Sequence, residues 1–212
     1  QDFVLNAGNN WKAAIDNLQR GNTRYTANSG LMELRKSIAK YMENRFNLSY
    51  HPEDEIFVTV GGSEGIDLCV RAFVEPGDEV LIPEPSYVAY APIVQLTFGV
   101  PVPIPLKEEN NFRLTPEELE AAITPRTKLL VLPFPNNPTG GVMRREHLEA
   151  IAAVLRRHPD IIILSDEIYA ELTYNGRHVS IAEIDGMKER TIVVNGFSKA
   201  FSMTGWRLGY LC

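Results

Sequence analysis

Lys199 stands in the run Asn195-Gly196-Phe197-Ser198-Lys199-Ala200-Phe201-Ser202-Met203-Thr204-Gly205-Trp206-Arg207-Leu208-Gly209, after a β-rich stretch at 191–194 and before a glycine-bounded turn. That setting puts an amine at a strand end, where it can face a cleft and form an imine with an aldehyde. A lysine amine becomes a nucleophile when burial or a nearby cation favours its neutral form, and Arg207 can supply part of that field. Taken singly, a lysine is most often a solvated surface charge, so this reading needs company.

Four other places offer chemistry. Val58-Thr59-Val60-Gly61-Gly62-Ser63-Glu64-Gly65-Ile66 reads as strand, glycine turn and helix start, where backbone N–H groups can point at an anion such as phosphate. A plain tight turn fits the same residues, and the spacing matches neither G-x-G-x-x-G nor G-x-x-x-x-G-K-S/T. Pro133-Phe134-Pro135-Asn136-Asn137-Pro138-Thr139-Gly140-Gly141 holds Asn137 extended before a proline, or is simply a structural loop. Ile163-Leu164-Ser165-Asp166-Glu167-Ile168-Tyr169 sets an acid beside an apolar run, where Asp166 either caps a helix or needs a buried partner. Tyr87, in Glu84-Pro85-Ser86-Tyr87, is either core or a stacking platform.

The elements that position these residues are legible as apolar, β-branched runs at 56–60, 79–82, 100–104, 128–132, 161–164, 191–194 and 208–211. Between most of them lie helical patterns. Leu31, Leu34, Ile38, Tyr41 and Met42 form one stripe, and Leu148, Ile151, Ala152 and Leu155 another. Thr115-Pro116-Glu117-Glu118 opens a further helix with a capping-box pair and proline in the first turn. Alternating strands and helices predict an α/β fold, a three-layer αβα sandwich whose seven-stranded sheet is mostly parallel and covered on both faces. About a dozen residues separate the last two strands, the lower limit for a parallel crossover, so the last strand is expected to run antiparallel. Ligands of such sheets gather at the carboxyl ends of the strands. No repeat or linker divides residues 1–212, which read as one domain.

At 44% hydrophobic and 23% charged over 212 residues, the chain has the composition of a globular domain. A net charge of −6 argues against nucleic acid or an anionic membrane surface as partner. Cys69 and Cys212 are not spaced for a disulfide framework, and His51, His147, His158 and His178 have no ligand-like spacing, so no metal is expected. The sequence from Gln1 has no basic segment followed by an apolar run and no stretch of membrane-spanning length, which predicts a cytoplasmic location.

From Tyr25 to Gly209, in order and spacing, the chain resembles the class I/II pyridoxal-phosphate-dependent aminotransferases of the aspartate aminotransferase-like fold. The most specific matches are Asn136-Asn137-Pro138-Thr139-Gly140, Asp166-Glu167-Ile168-Tyr169, and Ser198-Lys199 followed eight residues after the lysine by Arg207. The resemblance implies pyridoxal 5'-phosphate as cofactor, bound as a Schiff base on Lys199, which also shuttles the substrate α-proton. It implies that Asp166 pairs with the pyridine nitrogen and keeps the ring an electron sink. Tyr169 and Asn137 would hold the ring's phenolic oxygen, and Tyr87 would stack on its face. Gly62, Ser63 and Arg207 would bind the phosphate.

Tyr25, in Tyr25-Thr26-Ala27-Asn28-Ser29-Gly30, matches the family tyrosine that reaches the neighbouring subunit's phosphate, which implies a homodimer. Gly8, in Leu5-Asn6-Ala7-Gly8, matches a glycine near the substrate carboxylate, where Asn137 also contributes. The peptide bonds before Pro85 and Pro138 are expected to be cis by the same resemblance. Gly196 departs from the pattern, since many relatives have a phosphate-binding serine or threonine there. The small C-terminal domain and its carboxylate-binding arginine have no counterpart before Cys212, so the chain reads as the large cofactor-binding domain of a longer enzyme.

The implied activity is transfer of an amino group between an L-amino acid and a 2-oxo acid. A pyridoxal-phosphate C–S lyase of the same fold is the enzymatic rival. An aminotransferase-like sensory domain of a transcription regulator is another, opposed by the acidic charge. The side-chain specificity of the donor is not readable.

Overall fold

The computed structural model describes residues 10–174 and 176–212. Seven strands form one sheet: β1 (Phe57–Thr59), β2 (Glu79–Glu84), β3 (Val100–Pro105), β4 (Thr127–Leu132), β5 (Ile162–Asp166), β6 (Thr191–Gly196) and β7 (Gly209–Leu211). Their spatial order is β1-β7-β6-β5-β4-β2-β3. β7 runs antiparallel to β1 and to β6, and the other paired strands are parallel. The antiparallel last strand expected from the short 197–208 connection is therefore present. It lies inside the sheet rather than at its rim.

Both faces of the sheet are covered, which is why its strands are continuous apolar runs rather than alternating ones. Val80, Ile82, Leu129, Val131, Leu164 and Val194 pack on one face with α3 (Gly61–Phe73) and α4 (Tyr90–Leu96). Leu81, Leu130, Leu132 and Ile163 pack on the other with α5 (Pro116–Ala122) and α6 (Arg145–Leu155). On that second face α2 (Met32–Phe46) sets Ile38, Met42 and Phe46 against Val193 and Tyr210. The layers are those of an αβα sandwich. α5 starts with the expected capping box: Thr115 Oγ1 accepts from Glu118 N at 3.3 Å, while Thr115 N donates to Glu118 Oε2 at 3.2 Å. Such a cap contributes about 1 kcal/mol.

One detail differs from the sequence reading. Leu31 is the residue before α2 and is half exposed, and the buried stripe is Arg35, Ile38, Met42 and Phe46. Arg35 sits in the core because Nη1 donates to the carbonyls of Pro52 and Glu53, each at 3.0 Å, a solution that an apolar pattern does not reveal. Among its described residues the crossover from β5 to β6 carries three 3-10 turns, Ala170–Leu172, Ile181–Glu183 and Lys188–Arg190, in place of an α-helix.

β3 forms one rim. Its N–H groups at Val100 and, just past the strand, at Leu106 point inward to Asp78 O (2.8 Å) and Glu84 O (2.7 Å). The alternate positions, Pro101, Pro103 and Pro105, therefore face outward.

Candidate active site

The carboxyl ends of β1, β2, β4, β5 and β6 open on one cavity of about 260 Å³. Gly62 and Ser63 reach it from the β1–α3 turn, Tyr87 from beyond β2 and Asn137 from beyond β4. Asp166 and Tyr169 reach it from the end of β5, and Lys199 and Arg207 from the connection after β6. The sequence-derived candidates thus converge, with two exceptions. Tyr25 does not line the cavity and its side chain is fully exposed. Gly8 lies outside the described residues.

One end of the cavity is built from backbone. Gly61 has φ +77°, and a Cβ there would collide with the Arg207 guanidinium. A Cβ on Gly209 would lie 2.5 Å from Gly61 C and 2.6 Å from Gly62 N, so β7 presses directly on the start of α3. The first-turn N–H groups of α3 have no intrahelical acceptor and open toward this end, beside the guanidinium. Arg207 itself has φ +51°, a left-handed conformation that costs an arginine roughly 1–2 kcal/mol. Its Nη1 donates to Thr204 O at 2.9 Å, which fixes the side chain over Gly61. Ser63 Oγ lies 3.4 Å from Tyr87 Oη.

The other end is built from side chains. Asp166 is buried, and its Oδ2 accepts from Tyr90 Oη at 2.7 Å while Oδ1 accepts from Ile168 N at 3.2 Å. Burial pushes the Asp166 carboxyl above the usual range; the Tyr90 and Ile168 hydrogen bonds pull it back, and the adjacent Glu167 charge adds to the rise. Burial, reinforced by Asp166, holds the Tyr90 phenol well above its ordinary value, so Tyr90 is a neutral donor. Between the two ends, Lys199 Nζ sits 5.4 Å from the centroid of the Tyr169 ring. The bonds before Pro85 and Pro138 are cis as expected, and so is that before Pro135. Asn136 Nδ2 donates to Pro85 O at 3.2 Å and ties two of the lining loops together.

A cationic, N–H-rich end, a buried acid and an amine in one cavity suit a flat ring with an anionic group at one side, a basic nitrogen at the other and a carbonyl between. The profile of the family described as aminotransferase class I and II matches residues 6–212. The chain belongs to that family. Members of it use pyridoxal 5'-phosphate, and the donor set just described fits that group: anion end for phosphate, acid for ring nitrogen, amine for aldehyde.

As a class I and II aminotransferase-family chain it is 51% identical over 209 residues to a putative aminotransferase of Bacillus subtilis, covering 99% of this chain and 54% of that protein. It is 46% identical to aromatic-amino-acid aminotransferase 2 of Thermococcus litoralis, covering 93% and 51%. Among solved structures, the aromatic aminotransferase of Pyrococcus horikoshii superposes with a TM-score of 0.92 at 45% identity, covering 95% of this chain and 54% of that one. The chain spans about half the length of the curated relatives it matches.

Tyr90 is the side chain that sequence reasoning missed. The acid's need for a partner was legible, but the partner lies 76 positions away. Its only local signal is spacing: Tyr87 and Tyr90, three positions apart, meet edge to face at 5.6 Å. Ile168, Ser198 and Thr204 also line the cavity, without a role assigned to them from the sequence. Gly196 has a steric reason for departing from the family pattern. A Cβ there would lie 2.9 Å from Gly209 Cα and 3.0 Å from Leu208 O, so a serine or threonine would push β6 off β7. Among the described residues, no group of three or more His, Cys, Asp or Glu side chains could hold a metal ion, and no helix is long and apolar enough to cross a membrane.

Proposed function

We propose that the chain is the cofactor-binding domain of an aminotransferase that moves an amino group between an L-amino acid and a 2-oxo acid. The observation that carries this reading is the convergence of Lys199, buried Asp166 and the Arg207–Gly62–Ser63 anion end on one cavity. When bound, pyridoxal phosphate supplies a reactive aldehyde and an electron-withdrawing ring. The phosphate is held by Arg207, by the N–H groups of Gly62 and Ser63, and by the Ser63 hydroxyl. Asp166 holds a proton at the ring nitrogen. Tyr169 and Asn137 would donate to the phenolic oxygen, and Tyr87 would cover the ring face. Lys199 Nζ would hold the aldehyde and would take up and return the proton at the substrate α-carbon.

The remaining half of the length of the relatives is the place for the arginine that binds the substrate carboxylate, with Gly8 and Asn137 on this side. A cytoplasmic homodimer is part of the same reading. Exposed Trp11, Ile15 and Leu18 on α1 (Asn10–Gln19) and exposed Tyr25 support it, because the described residues leave them uncovered. Relatives named for aspartate and for aromatic amino acids make both donor classes the first to screen.

Borohydride reduction of the full-length holoenzyme, followed by peptide mass spectrometry, should place the cofactor on Lys199, and Lys199→Ala should remove the modification and turnover together. A reduced adduct on another lysine overturns the assignment. An amino donor alone should convert the bound cofactor to its amine form; release of a thiol or of pyruvate from cysteine-like substrates without that conversion would indicate a lyase.

A further inference from the structure

Directly behind Asp166 lies a second carboxylate that the proposed chemistry does not use. Glu167 is 0% exposed, yet among the described residues no lysine or arginine pairs with it. Its Oε1 accepts from Ser165 Oγ at 3.0 Å and from Ser180 Oγ at 2.5 Å, and its Oε2 faces His178 Nε2 at 2.9 Å. A carboxylate acceptor requires that this nitrogen carry the proton. Burying a carboxylate costs several kcal/mol unless its oxygens are satisfied, so four polar residues have been committed to one point in the core.

Side chains alternate across a strand. Asp166 pairs with Val194, which packs on the α3–α4 face, whereas Ser165 pairs with Val193, which packs with Phe46 and Tyr210 behind the sheet. Ser165 and Glu167 therefore share the rear face. The Glu167 backbone joins both ligands of the ring: its N–H donates to Val194 O at 2.8 Å, extending the β5–β6 ladder, and its carbonyl accepts from Ala170 N at 2.9 Å, closing the turn that carries Tyr169.

We propose that Glu167 is a positioning residue for the cofactor ring: clamped from behind by Ser165, His178 and Ser180, it fixes the last rung of β5 and so aims Asp166 and Tyr169 into the cavity. The inference rests on Asp166 serving the ring nitrogen and extends that reading to a residue that touches neither cofactor nor substrate. Glu171, held by Tyr41 Oη at 2.7 Å and by Arg45, secures the far side of the same turn.

The test is the ¹⁵N NMR signal of cofactor labelled at the ring nitrogen, in the full-length holoenzyme, with melting temperature recorded alongside. Asp166→Asn should move the signal toward the unprotonated position. Glu167→Ala should move it the same way and weaken cofactor binding by roughly tenfold, the scale of one lost charge-assisted hydrogen bond. Glu167→Gln, which keeps the size and hydrogen-bonding reach, should restore the wild-type signal, and Ser165→Ala should give a partial shift. A Glu167→Ala protein that melts earlier but keeps the wild-type signal overturns the proposal, because Glu167 would then be structural only. A glutamine variant shifted as far as alanine overturns it too, by assigning the effect to charge. If Glu167→Ala does not fold, an unshifted Ser165→Ala signal sinks the idea. An unchanged signal in Asp166→Asn would instead remove the ring-nitrogen assignment itself.

Discussion

The two ends of the cavity are made by different means. At the anion end the determinants are backbone: Gly61 and Gly209 are glycine because any Cβ would strike Arg207 or the start of α3. At the acid end they are side chains that meet only in the fold, Asp166 on β5 and Tyr90 on α4. Backbone N–H groups at a helix start are fixed before any ligand arrives and cannot titrate. The carboxyl–phenol pair is adjustable, since its protonation answers to burial and to each hydrogen bond. The cleft thus joins a rigid anion grip to a tunable acid, and substitutions at the two ends should fail in different ways.

The largest effect is expected at the tunable end. In the full-length enzyme Asp166→Asn should lower turnover by roughly a hundred- to thousandfold, the range for removing one electrostatic stabiliser from a reacting centre. The same change should stabilise the cofactor-free protein at neutral pH. Burial raises the Asp166 carboxyl, so its contribution to stability is full below the ordinary carboxylate range and is lost as pH rises through the raised value. An uncharged amide escapes that loss. Melting curves of both apo-proteins across pH check this: they should converge in acid and separate toward neutrality, and a gap independent of pH would contradict it.

Gly61→Ala should break the rigid end. It combines a left-handed backbone with displacement of the guanidinium, about 2 kcal/mol or more, or roughly thirtyfold in the cofactor dissociation constant. Turnover at saturating cofactor should fall far less than in Asp166→Asn; an equal fall would erase the distinction between the ends. Tyr90→Phe deletes one hydrogen bond to the carboxylate and should cost roughly tenfold in turnover. It should do so with cofactor affinity nearly unchanged, measured by equilibrium titration. Ser63→Ala should be mildest, about two- to fivefold in cofactor affinity, because the backbone N–H groups remain. A larger loss would mean that the hydroxyl rather than the backbone dominates the grip.

This contrast also explains what the sequence disclosed. The glycine turn at 61 and 62, a lysine between a strand and a glycine turn, and prolines beside Asn137 can be read locally, because a left-handed φ, a strand end or a proline marks the chain within a few residues even where, as at Gly61, a distant side chain adds a second reason. The strands were legible for a similar reason: a sheet buried on both faces writes itself as apolar runs. Tyr90, the Glu167–Ser165–Ser180–His178 cluster and the buried Arg35 were not legible. Each is a polar residue justified by partners brought close only by folding, and Arg35 even occupies the apolar stripe of its helix.

The outer rim of the sheet has a consequence for how this chain behaves in a crowded solution. An unpaired strand edge is a template on which another chain can add a strand, and such additions lead to aggregates. Along β3 the outward-facing positions are Pro101, Pro103 and Pro105, so this edge presents carbonyls but no N–H groups over its length. An incoming strand would find acceptors and no donors, and every second rung of the new ladder would be missing. The chain guards its exposed margin by withholding half of the code that strand addition requires.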